Sequence, residues 1–133
     1  SGEDVTIDTS ISDGTMNIEL SGPNMGAVIG KRGETLDALQ HLTSLVVNRG
    51  DLDFVKVSLD TENYREKRNQ ALEALAHKMA NKVIRTGRST SLEPMNAYER
   101  RIIHSALQSS DEVTTYSVGQ GVNRKVVIAL KKD

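Results

Sequence analysis

The chain has 133 residues, 37% hydrophobic and 26% charged, with a formal net charge of −1, no cysteine and three dispersed histidines. That length suits one ordinary domain or two small ones with real cores, and two small ones are expected. The composition excludes a disulfide scaffold, a thiolate metal site and a histidine metal cluster, while the absence of an apolar run near ~18 residues or of a basic-then-apolar start excludes a spanning helix and a signal peptide. A soluble cytoplasmic protein without direct membrane insertion, metal, cofactor or small-molecule substrate is the expectation. Ser1-Gly2 reads as a cloning remnant, with natural sequence expected upstream.

The near-neutral total conceals an asymmetry. Residues 1–60 carry four Lys/Arg against ten Asp/Glu, net −6, and residues 61–133 carry thirteen against eight, net +5. The second half is therefore the one that attracts an anion. Phe54, Tyr64, Tyr98 and Tyr116 are the only aromatic residues, too few for a sheet that stacks several bases. A mode that clamps backbone, using glycines and cations, stays open.

In chain order, Val5, Ile7, Thr9 and Ile11 alternate with polar residues, Asp13-Gly14 signals a turn, and Met16, Ile18 and Leu20 alternate again. The pattern predicts a half-buried antiparallel hairpin. Gly22-Pro23-Asn24 breaks the chain. Met25-Gly26-Ala27-Val28-Ile29 suits a short helix, and Leu36, Leu39, Leu42, Leu45 and Val46 give the stripe of a second, ended by Asn48-Arg49-Gly50. Between them stands Ile29-Gly30-Lys31-Arg32-Gly33. Glycine at both ends lets the main chain turn tightly and approach a ligand closely. Lys31 and Arg32 add charge, and the free N–H groups of a helix beginning near Glu34 favour an anion. A tight turn with a solvated Lys-Arg tip is the plainer reading of the tetrapeptide taken alone. Val55, Val57 and Leu59 then mark a third strand, with Phe54 turned the other way. The order β-β-α-α-β places both helices on one face of a three-stranded sheet.

Asp60-Thr61-Glu62 is expected to cap a long helix over 61–87 whose stripe is Tyr64, Ala71, Leu72, Leu75, Ala76, Met79, Val83 and Ile84. Arg65, Lys67, Arg68, Lys78, Lys82, Arg85 and Arg88 read as its solvated face; His77, like His41 before it, reads as a surface residue. Thr90-Ser91-Leu92-Glu93-Pro94 is a short extended piece. Asn96, with Glu99 three residues on, forms a capping box for the next helix. There Arg100 and His104, four apart, share a face on which two donors suit neighbouring phosphate oxygens, and Tyr98, Ile102, Ile103 and Ala106 pack inward. A hairpin from Val113 to Leu130 through Gly119-Gln120-Gly121 closes the chain on a cationic tail.

Two resemblances follow from these residues. The Ile29-Gly30-Lys31-Arg32-Gly33 segment between two helices resembles the K-homology (KH) family, and a strand preceding its β-α-α-β core is similar to the variant typical of bacterial proteins. The segment Leu92-Glu-Pro-Met-Asn-Ala-Tyr-Glu-Arg-Arg-Ile-Ile-His104 resembles the R-3-H domain, a small α+β module of Arg-x-x-x-His type that binds single-stranded nucleic acid. KH followed by R-3-H is the layout of the bacterial Jag family, whose members often begin with a further N-terminal domain.

The resemblance implies an α+β chain with a KH domain over 1–60 and an R-3-H domain over 61–133 (long helix, short strand, helix, hairpin). It implies a non-catalytic binder of single-stranded RNA, or of single-stranded DNA. The residues carried over are Ile29, Gly30, Lys31, Arg32 and Gly33 in the first module, and Arg100, Arg101, His104, Arg124 and Lys125 in the second. It further implies a small single-KH partner protein and a role in cell division or envelope regulation. Two alternatives stand beside it. One is an interaction adaptor without RNA binding, suggested by the ten carboxylates of the first half. The other is a hydrolase pairing His104 with Glu99 or Asp111, which no nucleophile motif, metal cluster or Walker-type loop supports.

Overall fold

The computed structural model describes residues 4–50 and 53–132, so Ser1 and Gly2 lie outside the described residues. The chain divides into two units, Ser1–Lys67 and Arg68–Asp133.

In the first unit, β1 (Thr6–Ser12) and β2 (Thr15–Ser21) pair antiparallel across Asp13-Gly14, both at positive φ (51° and 75°). Two successive left-handed residues match the twist of the flanking strands. Helices α1 (Gly26–Ile29) and α2 (Glu34–Val47) follow, then β3 (Lys56–Thr61), which runs parallel to β2 and completes a sheet of order β1-β2-β3. The register sets Ile11, Met16 and Val57, then Thr9, Ile18 and Leu59, across one face. Met25, Leu36, Val57 and Leu59 are buried, and Gln40 Oε1 of α2 accepts from the Leu59 amide at 2.9 Å.

The apolar pattern predicts more burial than this arrangement supplies. All of β1 is exposed, Ile7 at 64% and Ile11 at 71%, because α2 packs on β3 and β1 is the opposite edge of the sheet. On α2 the leucines also diverge. Steps of three residues fall about 60° short of a full turn, so the series Leu36, Leu39, Leu42, Leu45 rotates away from the core. Leu36 is fully buried, whereas Leu42, Leu45 and Val46 are more than half exposed.

In the second unit, α3 (Tyr64–Thr86) begins in the first unit and continues through the second. It is followed by β4 (Thr90–Ser91), α4 (Ala97–Leu107), β5 (Val113–Val118) and β6 (Lys125–Leu130), with an antiparallel sheet of order β4-β6-β5. The core joins Leu72, Ala76, Ala80 and Val83 of α3 to Ile103 and Leu107 of α4 and to Val113, Val126 and Ile128 of the sheet. Its stripe on α3 is narrower than the sequence suggests, since Ala71, Leu75 and Ile84 face outward. The helix also starts later. Thr61 ends β3, Glu62 and Asn63 turn at φ 54° and 56°, and Asp60 Oδ1 accepts from the amides of Thr61 and Arg65 at 2.8 and 3.3 Å.

Candidate nucleic-acid interface

The loop between α1 and α2 is set by its glycines. Gly30 lies at φ 72°, ψ −175°, a region essentially confined to glycine. A Cβ there would meet Thr35 Oγ1 and stand 2.8 Å from Thr35 Cβ. Lys31–Gly33 form one 3₁₀ turn with Arg32 at φ 55°, and Gly33, at φ 78°, is the N-cap of α2 without a side-chain cap. Helix N–H groups with no side-chain acceptor, beside an exposed Lys31 and a half-buried Arg32, suit an anion. Ile29, also half-buried, adjoins the loop, so the five residues singled out in this module form one continuous feature.

In the second unit, Asn96 Oδ1 accepts from the Glu99 amide at 2.9 Å, as the capping signal predicts. The reciprocal half of the box is not made. The buried Glu99 carboxylate instead accepts from Arg68 Nε at 2.7 Å, because the third position of this helix faces the core and its charge needs a cation there. Arg68 is thus a structural partner rather than part of the solvated face. Tyr98, expected to pack inward, is 61% exposed, and its hydroxyl accepts from Asn69 Nδ2 at 3.3 Å.

One turn after Arg100, the His104 ring lies between two hydroxyls of β5, with Nδ1 at 2.6 Å from Thr115 Oγ1 and Nε2 at 3.0 Å from Ser117 Oγ. Burial, then the Arg100 and Arg124 guanidiniums, hold its pKa below the ordinary 6.5, so at neutral pH the ring is uncharged. Arg100 Nη1 donates to the Met95 carbonyl and Arg124 Nη1 to the Gly119 carbonyl, each at 2.7 Å. Because Arg100 and Arg124 both act on His104, they form one cationic neighbourhood around a neutral ring. Neither hydroxyl partner was singled out in the sequence. The period-two spacing of Thr115 and Ser117, in line with buried Val113, is the signal that places them on the face covered by α4.

Two other singled-out residues lie elsewhere. Arg101 borders a groove of about 430 Å³ with Glu73, His77, Tyr98 and Ile102, around the helix from Arg100. Lys125 pairs with Val118, which by alternation puts it on the sheet face opposite Thr115 and Ser117. Among the described residues there is no group of three or more His, Asp or Glu side chains able to hold a metal ion. No helix there is long and apolar enough to cross a membrane. His104 makes its contacts with Thr115 and Ser117, not with Glu99 or Asp111.

Comparison with known proteins agrees with this division. The model of the KhpA/KhpB KH domain matches residues 1–60, and that of the R-3-H domain matches residues 70–130. The chain joins a KhpA/KhpB-type KH domain to an R-3-H domain, which is the layout of the Jag family. It is 54% identical over 130 residues to a Clostridium symbiosum protein named RNA-binding protein KhpB, covering 98% of this chain and 59% of that one. A Bacillus subtilis protein of the same name is 43% identical over 131 residues, covering 97% of this chain and 62% of that one. The chain thus spans about 60% of the length of these curated relatives. A Streptococcus pneumoniae protein, also named RNA-binding protein KhpB, is 34% identical, with 40% of its length matched.

Proposed function

We propose that the chain binds single-stranded RNA through the backbone, without catalysis, using the 30–33 loop and the Arg100–His104–Arg124 neighbourhood. The observation that carries this reading is the loop itself. Its glycine conformations leave the main chain open to close approach, and Lys31, Arg32 and the start of α2, which has no side-chain cap, are contiguous with it, which supports a phosphate-binding role. Such a clamp takes about four nucleotides by their phosphates. The three curated relatives described above are named RNA-binding proteins, which supports the same reading for this chain. In the second unit Arg100 and Arg124 supply charge and neutral His104, with Thr115 and Ser117, supplies hydrogen bonds. A regulatory role in division or envelope homeostasis, in the cytoplasm, extends this reading.

The test is fluorescence anisotropy with labelled, unstructured RNA and the corresponding DNA. Lys31→Asp with Arg32→Asp should abolish binding by the first module, and Arg100→Ala should lower the slope of log K against log salt by about 0.7, one single-strand phosphate contact. Wild-type affinity in the first variant would remove the loop from the site. The labelled RNA should remain intact throughout, and its cleavage would refute the absence of catalysis.

A second reading, pairing with a small partner built on a KH domain, is favoured by the uncovered apolar residues Ile7 and Ile11 of β1. Ile7→Lys with Ile11→Lys should then abolish co-purification with such a partner and leave RNA affinity unchanged. Persistent co-purification would exclude this face.

A further inference from the structure

We infer that Tyr64, outside the KH match at residues 1–60, is the residue that holds the 30–33 loop in its binding shape. The inference rests on the RNA-clamp reading above. Three observations carry it. First, Gly33 is buried, and a Cβ built on it would stand 2.7 Å from Tyr64 Cε2 and 3.3 Å from Tyr64 Cζ and Oη. The phenol ring edge therefore lies directly against the Gly33 Cα, in the space that a side chain would fill at any other residue. Second, the loop holds a costly backbone conformation. Arg32 at φ 55° is an L-residue in the left-handed region, which costs about 1–2 kcal/mol and persists only where neighbours impose it. No side chain caps the start of α2, and the turn's own bonds are backbone ones, from the Glu34 amide to the Lys31 carbonyl and from the Gly33 amide to the Gly30 carbonyl at a long 3.4 Å.

Third, Tyr64 is itself fixed. The next residue, Arg65, donates from Nε to the Leu59 carbonyl at 2.9 Å, from Nη2 to Gln40 Oε1 at 3.1 Å and from Nη1 to Asp37 Oδ1 at 2.6 Å. One guanidinium thus ties the first turn of α3 to both β3 and α2. The Glu62-Asn63 turn, at φ 54° and 56°, brings the chain round to that point. Gln40 Oε1 also accepts from the Leu59 amide at 2.9 Å, so the tie is shared with the body of the unit rather than with a mobile end. The backbone that carries the ring is thus anchored next to Tyr64, and the ring edge lies against the glycine that caps the start of α2. Its effect on RNA is exerted through the loop, so Tyr64 is a positioning residue.

The experiment uses the full chain, the labelled RNA of the preceding test and four variants: Tyr64→Ala, Tyr64→Phe, Lys31→Asp with Arg32→Asp, and the triple combination with Tyr64→Ala. Tyr64→Ala should weaken binding roughly tenfold, the scale of one misplaced contact group. Tyr64→Phe, which keeps the ring edge, should stay within about twofold of wild type on the same scale. In the triple variant Tyr64→Ala should add nothing, because the loop it positions no longer binds.

The amide resonances of Arg32 and Gly33 should also move in the RNA-free Tyr64→Ala protein. Tyr64→Leu repeats the test with most of the volume kept, should the alanine variant unfold. A Tyr64 variant with shifted loop amides but wild-type affinity would overturn the inference while leaving the clamp in place. An equal loss in the triple background would overturn it differently, by making the ring itself an RNA contact. If Lys31→Asp with Arg32→Asp leaves affinity unchanged, the clamp reading falls, and the inference with it.

Discussion

Replacement of Gly30 by alanine is expected to destabilise the first unit before it affects any ligand. At φ 72° and ψ −175° an L-residue occupies a conformation that costs about 1–3 kcal/mol. The added methyl also meets Thr35 Oγ1 and lies 2.8 Å from Thr35 Cβ and 3.0 Å from the Thr35 amide nitrogen. The last of these is backbone in the first turn of α2 and cannot rotate away, so overpacking contributes about 1–3 kcal/mol more. Together the two effects amount to about 2–6 kcal/mol. A unit spanning Ser1–Lys67 holds about 3–10 kcal/mol on general grounds. At about 4–8 °C per kcal/mol for a domain of this size, the midpoint should fall by at least ~8 °C. The chain has no tryptophan, so far-UV dichroism, with amide NMR to assign the melting unit, is the suitable assay. Adding Thr35→Ala should restore the side-chain part of the loss and leave the backbone part. A shift under ~4 °C, less than about 1 kcal/mol, would show that the loop relaxes freely and would refute the reasoning. Gly30→Asp carries the same strain, so loss of binding in that variant reports folding; exposed Lys31, with its partner Arg32, is the sounder probe of the ligand.

Glu99→Ala should cost about 2–3 kcal/mol, below the 3–5 of a fully buried pair, because the Arg68 side chain it abandons is 25% exposed and can rehydrate in part. Urea denaturation of the second unit checks this, and a loss under 0.5 kcal/mol would mean the pair is merely neutral. Thr61→Val should be neutral or stabilising, by up to about 1 kcal/mol, since the Thr61 hydroxyl is fully buried without a partner; a loss above that size would reveal a bond the hydroxyl makes. His104 has a folded pKa below 6.5, so its contribution to stability is complete above that value and is lost as pH falls through the folded pKa. Phosphate beside it would offset Arg100 and Arg124, raise that pKa and make binding take up a proton. Affinity should therefore rise as pH drops from 7.5 below the ordinary histidine value of 6.5, and His104→Asn should remove the rise. NMR titration of the ring, free and bound, measures both values, and an unchanged pKa on binding would exclude phosphate at this site.

Much of the architecture was legible because local signals and the fold agree. Asp13-Gly14 takes two left-handed residues and makes its hairpin, and Asn96 caps α4 as its spacing suggests. What the sequence misjudged was cover. Alternation in β1 and leucines every third residue in α2 both imply a buried face, but whether anything covers that face depends on which strand α2 crosses. Ile7, Ile11, Leu42 and Leu45 are exposed for that reason. Nothing in a strand's own pattern reports its distance from a helix packed on another strand.

The candidate site divides along the same line. The 30–33 loop was legible because its chemistry is contiguous in sequence: two glycines at positive φ and two cations between them need no distant residue to be recognised. Its support was not, since Tyr64 and Arg65 follow the last strand and their periodicity assigns them to the next helix. The Arg100 and His104 pair was legible as a helical i, i+4 spacing, yet its electrostatics were not. His104 counts as a cation or a neutral donor by sequence alone, and only its burial, the flanking Arg100 and Arg124 and the hydroxyls of Thr115 and Ser117 decide for the neutral form. Charge at this face then comes from two arginines 24 positions apart in the chain, joined by a fold in which Arg100 reaches the carbonyl of Met95 and the Met95 amide reaches the carbonyl of Arg124. A motif of two residues thus marks where the site begins, while the backbone bonds around Met95 decide which third residue completes it.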